Sequence, residues 1–194
     1  MPLQVVAFVF ICLTVPQLSV AKVGEGEQTK DDGRTPLHAA VFDGDLKDVQ
    51  KLIRERADVN AKAKNGVTPL MVAVGSGKLK IAEELIKSKA DVRLSTPRGT
   101  TALHYAASRG SMPFVELLLK SGGEADARLQ KGTTPLMLAA QNGHVQAVAQ
   151  LLKAGPKKDV KEAKGRTAID FSRTKKHEKV VELLQSGSTK ETPR

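Results

Sequence analysis

The sequence predicts an all-α repeat solenoid of five units, each 33 residues long. The first observation is the box Thr35–Ala40, TPLHAA, which returns in related form with its threonine at positions 68, 101, 134 and 167. The second is a Gly about nine residues after each of the first four threonines, and the third is an apolar stripe after that Gly. A constant step of this size is typical of stacked repeats, in which each unit buries its apolar face only against its neighbours.

The box has the composition of a helix start. Thr is a favourable N-cap because its hydroxyl accepts a hydrogen bond from a free backbone N–H, and the following Pro has no N–H to lose. Leu then begins the buried stripe, and the alanines one turn later allow two helices to approach closely. The Gly after each box is expected to end this first helix in the left-handed conformation. These glycines are Gly44, Gly77, Gly110 and Gly143.

A second helix is predicted after each Gly. Apolar residues recur there at helical spacing, on one face of the helix. The stripe comprises Val49, Leu52, Ile53, Ile81, Leu85, Ile86, Val115, Leu118, Leu119, Val148, Leu151, Leu152, Val181 and Leu184. Each repeat therefore reads as two antiparallel helices joined by a short turn.

Period and box together resemble ankyrin repeats over about residues 32–187. The resemblance implies hairpin-like loops between repeats, and the segments 57–60 (ADVN) and 90–92 (ADV) match the family's link. The expected repeats are 32–64, 65–97, 98–130, 131–163 and 164–187. In the last repeat Asp170 replaces the box histidine and Lys176 replaces the Gly, which predicts a polar C-terminal cap.

The N-terminal 21 residues carry no charged side chain. An apolar run ends before Pro16, and Ser19–Ala21 is a small-x-small cleavage site, so residues 1–21 are predicted to be a signal peptide cut after Ala21. An uncleaved membrane anchor is the alternative, but the run is short for spanning a bilayer. Residues 22–31 are expected to form a flexible leader, and 188–194 a disordered tail.

Composition restricts the chemistry and the class of partner. The 31 Lys and Arg exceed the 21 Asp and Glu by ten, which favours acidic partners. The single Cys, Cys12, lies in the predicted signal peptide, so the mature chain has no thiol and its stack is held by packing alone. This is compatible with a periplasmic or secreted location. Nucleic-acid binding is not expected, because aromatic residues on which bases could stack are few and the predicted location is outside the cytoplasm.

The sequence contains no convincing catalytic or metal-binding motif. His38 and His104 occupy the fourth box position, where the resemblance implies a structural hydrogen bond, and His144 and His177 begin second helices at another recurrent position. The segment Ser172–Lys175 has the Ser-x-x-Lys spacing of penicillin-binding enzymes, but their companion motifs are absent. We therefore expect a protein that is not an enzyme, with no cofactor and no bound metal.

The resemblance implies protein recognition by the loop tips and the first helices. Candidate partner-binding residues follow from the offset to each Thr. On the loop tips they are Arg34, Lys64, Asn65, Val67, Arg98, Lys131, Lys164 and Arg166, and on the first helices they are Phe42, Asp43, Ser76, Tyr105, Arg109, Gln141, Asn142 and Lys175. Phe42 is either an interface anchor or a cover for the exposed end of the stack.

The leading hypothesis is an exported module, monomeric alone, which binds an envelope enzyme with an acidic surface and inhibits or protects it. It is similar to small periplasmic ankyrin proteins of bacteria, some of which are associated with a cell-wall peptidase or a catalase. Two alternatives stay open. One is electrostatic association with an anionic envelope polymer or membrane surface, without stable insertion, and the other is a secreted effector directed at a host.

Overall fold

The structure, a computed structural model, describes residues 32–186. The predicted signal peptide, the leader, residue 187 and the predicted tail lie outside the described residues. Across residues 32–186 no helix has the length and hydrophobicity needed to cross a membrane. This part of the chain contains α-helices, turns and one isolated bridge between Ser95 and Thr101, and it has no β-strand.

Ten helices are present in the described residues, one pair in each predicted repeat. The prediction of an all-α solenoid with five helix pairs is therefore confirmed. The first helices are α1 (Pro36–Asp43), α3 (Pro69–Gly75), α5 (Ala102–Arg109), α7 (Pro135–Gln141) and α9 (Ala168–Thr174). The second helices are α2 (Leu46–Arg54), α4 (Leu79–Lys87), α6 (Met112–Lys120), α8 (Val145–Lys153) and α10 (Glu178–Ser186).

Each first helix begins directly after the box threonine, as predicted. The hydroxyl of Thr68 accepts a hydrogen bond of 3.3 Å from the backbone N–H of Met71, and Thr134 caps α7 in the same way. In the last repeat Asp170 takes over the histidine's place in the capping box. Its Oδ2 accepts from the backbone N–H of Thr167 at 2.8 Å and from the Thr167 hydroxyl at 2.7 Å. These caps satisfy backbone donors that the helix itself leaves free.

The turn between the two helices of a repeat requires a left-handed residue. Gly44 has φ 85° and Gly110 has φ 66°, which confirms the prediction for the box glycines. Lys176 stands at the equivalent position of the last repeat and keeps the left-handed conformation, with φ 58°. The local fold therefore dictates this conformation even where the side chain opposes it.

The helices form two layers around an aliphatic core. Neighbouring first helices contact each other more extensively than neighbouring second helices do, all along the stack. Fully buried alanines such as Ala73, Ala106 and Ala139 lie on the first helices, whereas bulkier residues such as Leu85 and Leu118 are buried on the second. Because alanine side chains are small, they allow neighbouring first helices to approach closely.

One stripe residue is misplaced in the sequence prediction. Val181 is half-buried and is not packed against the core as the other half-buried stripe residues are, whereas its neighbour Val180 is completely buried. Val180 corresponds by the repeat step to Ala147, Phe114 and Ile81, which are all in the core. The second helix thus buries a wider stripe than the one predicted.

The loops between repeats are tight turns tied to one another. In the turn 96–99 the N–H of Gly99 donates to the carbonyl of Thr96 at 2.8 Å, and the turns 63–66, 129–132 and 162–165 close in the same way. Successive loops are also bonded: the N–H of Gln130 donates to the carbonyl of Arg98 at 3.0 Å, and that of Ala163 to the carbonyl of Lys131 at 2.8 Å. The result is a ladder of turns that holds the loop tips in register.

Candidate functional site

The candidate site is the surface formed by the loop tips and the outer side chains of the first helices. We call it the groove face and define it by the predicted partner-binding residues that keep exposed surface. It is formed where the loops lead directly into the first helices. Exposed members are Arg34, Asp43, Lys64, Asn65, Arg98, Arg109, Lys131, Lys164 and Lys175. Half-buried members are Phe42, Ser76, Tyr105, Gln141, Asn142 and Arg166.

Val67 is the one predicted site residue that the structure removes from this surface. Its side chain is only 6% exposed and belongs to the core. Its carbonyl accepts hydrogen bonds from the backbone N–H of Ala63 at 2.9 Å and from the His38 ring at 3.0 Å. The prediction that Val67 presents its side chain on a loop tip is therefore wrong, because this position joins the loop to the repeat core.

Arg166 is held by contacts with its own loop and with the helix that follows, α9. Its Nε lies 3.0 Å from Oε1 of Glu162, and its guanidinium lies 4.3 Å from the centre of the Phe171 ring. Burial raises the pKa of Glu162, but hydrogen bonds from Arg166 and from the Lys164 backbone outweigh it and leave the pKa lowered. The carboxylate thus stays charged and holds Arg166, which makes Arg166 a structural residue of the last loop rather than a free contact.

Two further candidates are held by neighbouring groups. The side-chain amide of Asn142 donates to the carbonyl of Ser108 in the preceding repeat at 2.8 Å. Arg34 forms an ion pair with Asp32, with 2.9 Å between Nε and Oδ2. Both side chains remain at the surface, but a partner would have to compete with these bonds for their polar groups.

Five cations of the groove face have charged groups that are not bonded to a neighbouring residue of the described chain. Among residues 32–186, their charged groups make no hydrogen bond or ion pair with the protein. An exposed cation with no fixed neighbour is available to an anionic group on a partner. The five are Arg98, Arg109, Lys131, Lys164 and Lys175.

Tyr105 lies half-buried on α5, in the middle of the layer of first helices. Its hydroxyl is buried and finds no hydrogen-bond partner within the described part of the chain. Burial raises the pKa of this hydroxyl to about 12, so it stays protonated at neutral pH. The sequence indicated the position of Tyr105 but gave no sign of this unpaired hydroxyl.

The histidines have structural roles, as expected. Nδ1 of His104 accepts from the backbone N–H of Thr101 at 3.2 Å, and its Nε2 lies 3.3 Å from the carbonyl of Thr133 in the next loop. His38 makes the equivalent bonds to Thr35 and Val67. In the later repeats, Nε2 of His144 lies 3.0 Å from the carbonyl of Ser108. These rings therefore join neighbouring repeats.

Burial lowers the pKa of His38, and it lowers the pKa of His104 to about 4. Both rings are therefore neutral at pH 7, with the proton on Nε2, where it faces a backbone carbonyl. No group of three or more His, Cys, Asp or Glu within the described residues could hold a metal ion.

Comparison with protein families agrees with this architecture. The family model described as ankyrin repeats, three copies, matches residues 12–96, 37–130, 76–162 and 103–193 in overlapping segments. Together these matches cover well over half of the chain. No curated protein matches the chain significantly.

Proposed function

The chain belongs to the ankyrin-repeat family, and from that premise we propose that it binds an acidic protein partner through the groove face. Ankyrin repeats are protein–protein interaction modules and are typically not catalytic. The observation that carries the proposal is the set of five exposed cations on one surface that have no ion-pair partner in residues 32–186. A cationic groove attracts an acidic surface and accelerates encounter more than it raises affinity.

The proposed partner is an enzyme of the cell envelope, such as a cell-wall peptidase. Residues 1–21 carry no charge and end in a small-x-small site, which supports export. Ordered loop tips carrying Arg98 and Lys131 could cover the mouth of an active-site cleft and so inhibit the enzyme. The same contacts could shield the enzyme instead, and in either case the binding event is the same.

The first experiment is a pull-down from envelope extract with the full chain and two matched triple variants. The groove variant is Phe42→Ala/Arg109→Ala/Lys175→Ala, and the control is Lys47→Ala/Lys80→Ala/Met112→Ala. Each removes two exposed cations and one apolar side chain, but the control residues lie on second helices. We expect one protein to be retained by the parent and the control variant and lost by the groove variant.

Salt separates this function from electrostatic association with a polymer or a membrane surface, which the net charge of +10 also favours. A packed protein interface should partly survive about 0.5 M NaCl, whereas binding driven by exposed charge alone should be screened. Retention of mixed acidic material by all three proteins, with complete release by salt, would contradict the proposed function.

Recovery of the protein outside the producing cell would favour a secreted effector.

A further inference from the structure

Equivalent positions of the groove face change charge from one end of the stack to the other. At the loop position directly before each turn glycine, the step of 33 places an acid first, then an amide, then three cations. These residues are Asp32, Asn65, Arg98, Lys131 and Lys164. The charge is therefore distributed with a direction along the groove.

A second position, at the end of each first helix, changes in the same sense. Asp43 ends α1 and is exposed, whereas Arg109 ends α5 and is exposed. Lys175 occupies the equivalent place directly after α9 and is also exposed. At both positions the first repeat is acidic and repeats three and five are basic, whereas repeat four is basic at the loop position and carries the neutral Asn142 at the helix end.

We propose that an extended acidic segment of the protein partner lies across the loop tips of repeats three to five, and that repeat one contacts a different, apolar part. The inference rests on the proposed function and adds the partner's chemistry and its orientation. Arg98, Lys131 and Lys164 form the contact row, which we call the cation row. Asp43 disfavours an acidic segment at the other end, where the half-buried ring of Phe42 offers apolar surface.

The backbone holds the cation row in a fixed arrangement. Each of its residues is the third residue of a tight turn and precedes a glycine of positive φ, namely Gly99, Gly132 and Gly165. The carbonyls of Arg98 and Lys131 accept hydrogen bonds from the following loop. Because packed helices lie roughly 10 Å apart, the row spans roughly 20 Å from Arg98 to Lys164. A partner segment meets cations that are already in position, which limits the ordering cost of binding.

The surroundings of the cation row favour a peptide over a single-stranded nucleic acid. Binding of single strands uses aromatic side chains on which bases stack. Within residues 32–186 Phe114 and Phe171 are buried, and Phe42 and Tyr105 are half-buried, so no fully exposed aromatic ring stands beside the row. The carboxylates of an acidic peptide can bind to the cation row without any aromatic ring.

The test measures binding of a fluorescent peptide of about eight glutamates, long enough to span roughly 26 Å when extended. The full chain is compared with Arg98→Ser/Lys131→Ser/Lys164→Ser and with the control Lys47→Ser/Lys80→Ser/Lys179→Ser, which has the same net charge. All six residues are exposed, so folding should be preserved and is checked by circular dichroism. We expect the first variant to weaken binding about tenfold, since three exposed ion pairs are lost, and the control to change it less than about twofold.

Equal weakening in both variants would overturn the proposal, because net charge alone would then explain binding. The proposal would also be overturned if an oligothymidine of the same length bound as tightly as the glutamate peptide and lost its binding in the Arg98/Lys131/Lys164 variant. The envelope partner provides a separate check. If it is lost by the Phe42/Arg109/Lys175 variant but retained by the Arg98/Lys131/Lys164 variant, the cation-row proposal is wrong and the proposed function stands. If no protein depends on either set, the proposed function itself fails.

Discussion

Acidification from pH 7 to pH 4.5 should lower the free energy of unfolding by about 2–3 kcal/mol through His104 alone, and His104→Met should remove that loss. The ring is 1% exposed, and burial lowers its pKa to about 4 from the usual histidine value of about 6.5. Between pH 4 and pH 6.5 the imidazole of His104 is protonated in the unfolded chain but neutral in the folded one. Stability is therefore present above pH 6.5 and decreases as the pH falls towards 4.

The geometry gives the physical reason for this preference. Nδ1 of His104 accepts from the backbone N–H of Thr101, and Nε2 faces the carbonyl of Thr133. Only the neutral ring with its proton on Nε2 satisfies both neighbours, because a second proton on Nδ1 would oppose the Thr101 N–H. Protonation therefore deprives the Thr101 N–H of its acceptor and leaves a charge in the core.

Urea unfolding followed by circular dichroism at pH 7 and pH 4.5 measures the effect. Methionine is the appropriate replacement, because Met71 and Met137 occupy the same position in repeats two and four and are equally buried. His104→Met should be somewhat less stable than the parent at pH 7 but should lose less on acidification. An identical pH dependence in the two proteins would show that His104 does not carry it.

Gly99→Ala should destabilise the fold by about 3 kcal/mol, whereas Gly165→Ala should cost about 1 kcal/mol. Both glycines have a left-handed conformation, with φ 81° and 76°, so each substitution carries the same backbone strain. A Cβ on Gly99 would in addition overlap the carbonyl oxygen of Arg128 and lie 3.1 Å from Cα of Leu129. A Cβ on Gly165 would have no atom within 4 Å.

The difference between the two variants isolates the packing of one loop on the next. Thermal unfolding of both variants beside the parent measures it, and Gly165→Ala serves as the control for backbone strain. If the two alanine variants lost the same stability, the loops would not be packed as tightly as the structure shows. The cation row would then lack the rigid support that its fixed spacing requires.

The helices could be predicted from the sequence because their signals are local. Thr68 followed by Pro69 specifies the start of α3, and Gly110 specifies the end of α5, whatever surrounds them. The repeat step of 33 then places the corresponding helices in the other repeats. It also contained a signal that was missed: Arg56 and Lys89 have φ 64° and 68°, at the positions where Gly122 and Gly155 stand in later repeats.

The candidate site was less predictable, because an offset from the box gives a position but not its partners. Val67 follows the loop pattern yet faces the core, since its carbonyl receives the His38 bond from the preceding repeat. Arg166 looks like a free loop-tip cation until Glu162 and Phe171 are placed beside it. Such contacts depend on the particular residues that surround each position. A comparison of equivalent positions between repeats does not show them.

Site-specific photo-crosslinking tests most directly the claim that the groove face binds the partner. A photo-reactive benzoyl-phenylalanine is placed at position 42 or 109 of the full chain, and at Gln146, an exposed residue of α8, as the control. Irradiation of the producing cells should link the same protein to positions 42 and 109 and none to position 146. Crosslinking of that protein from position 146 alone, or equally from all three, would contradict recognition through the groove face.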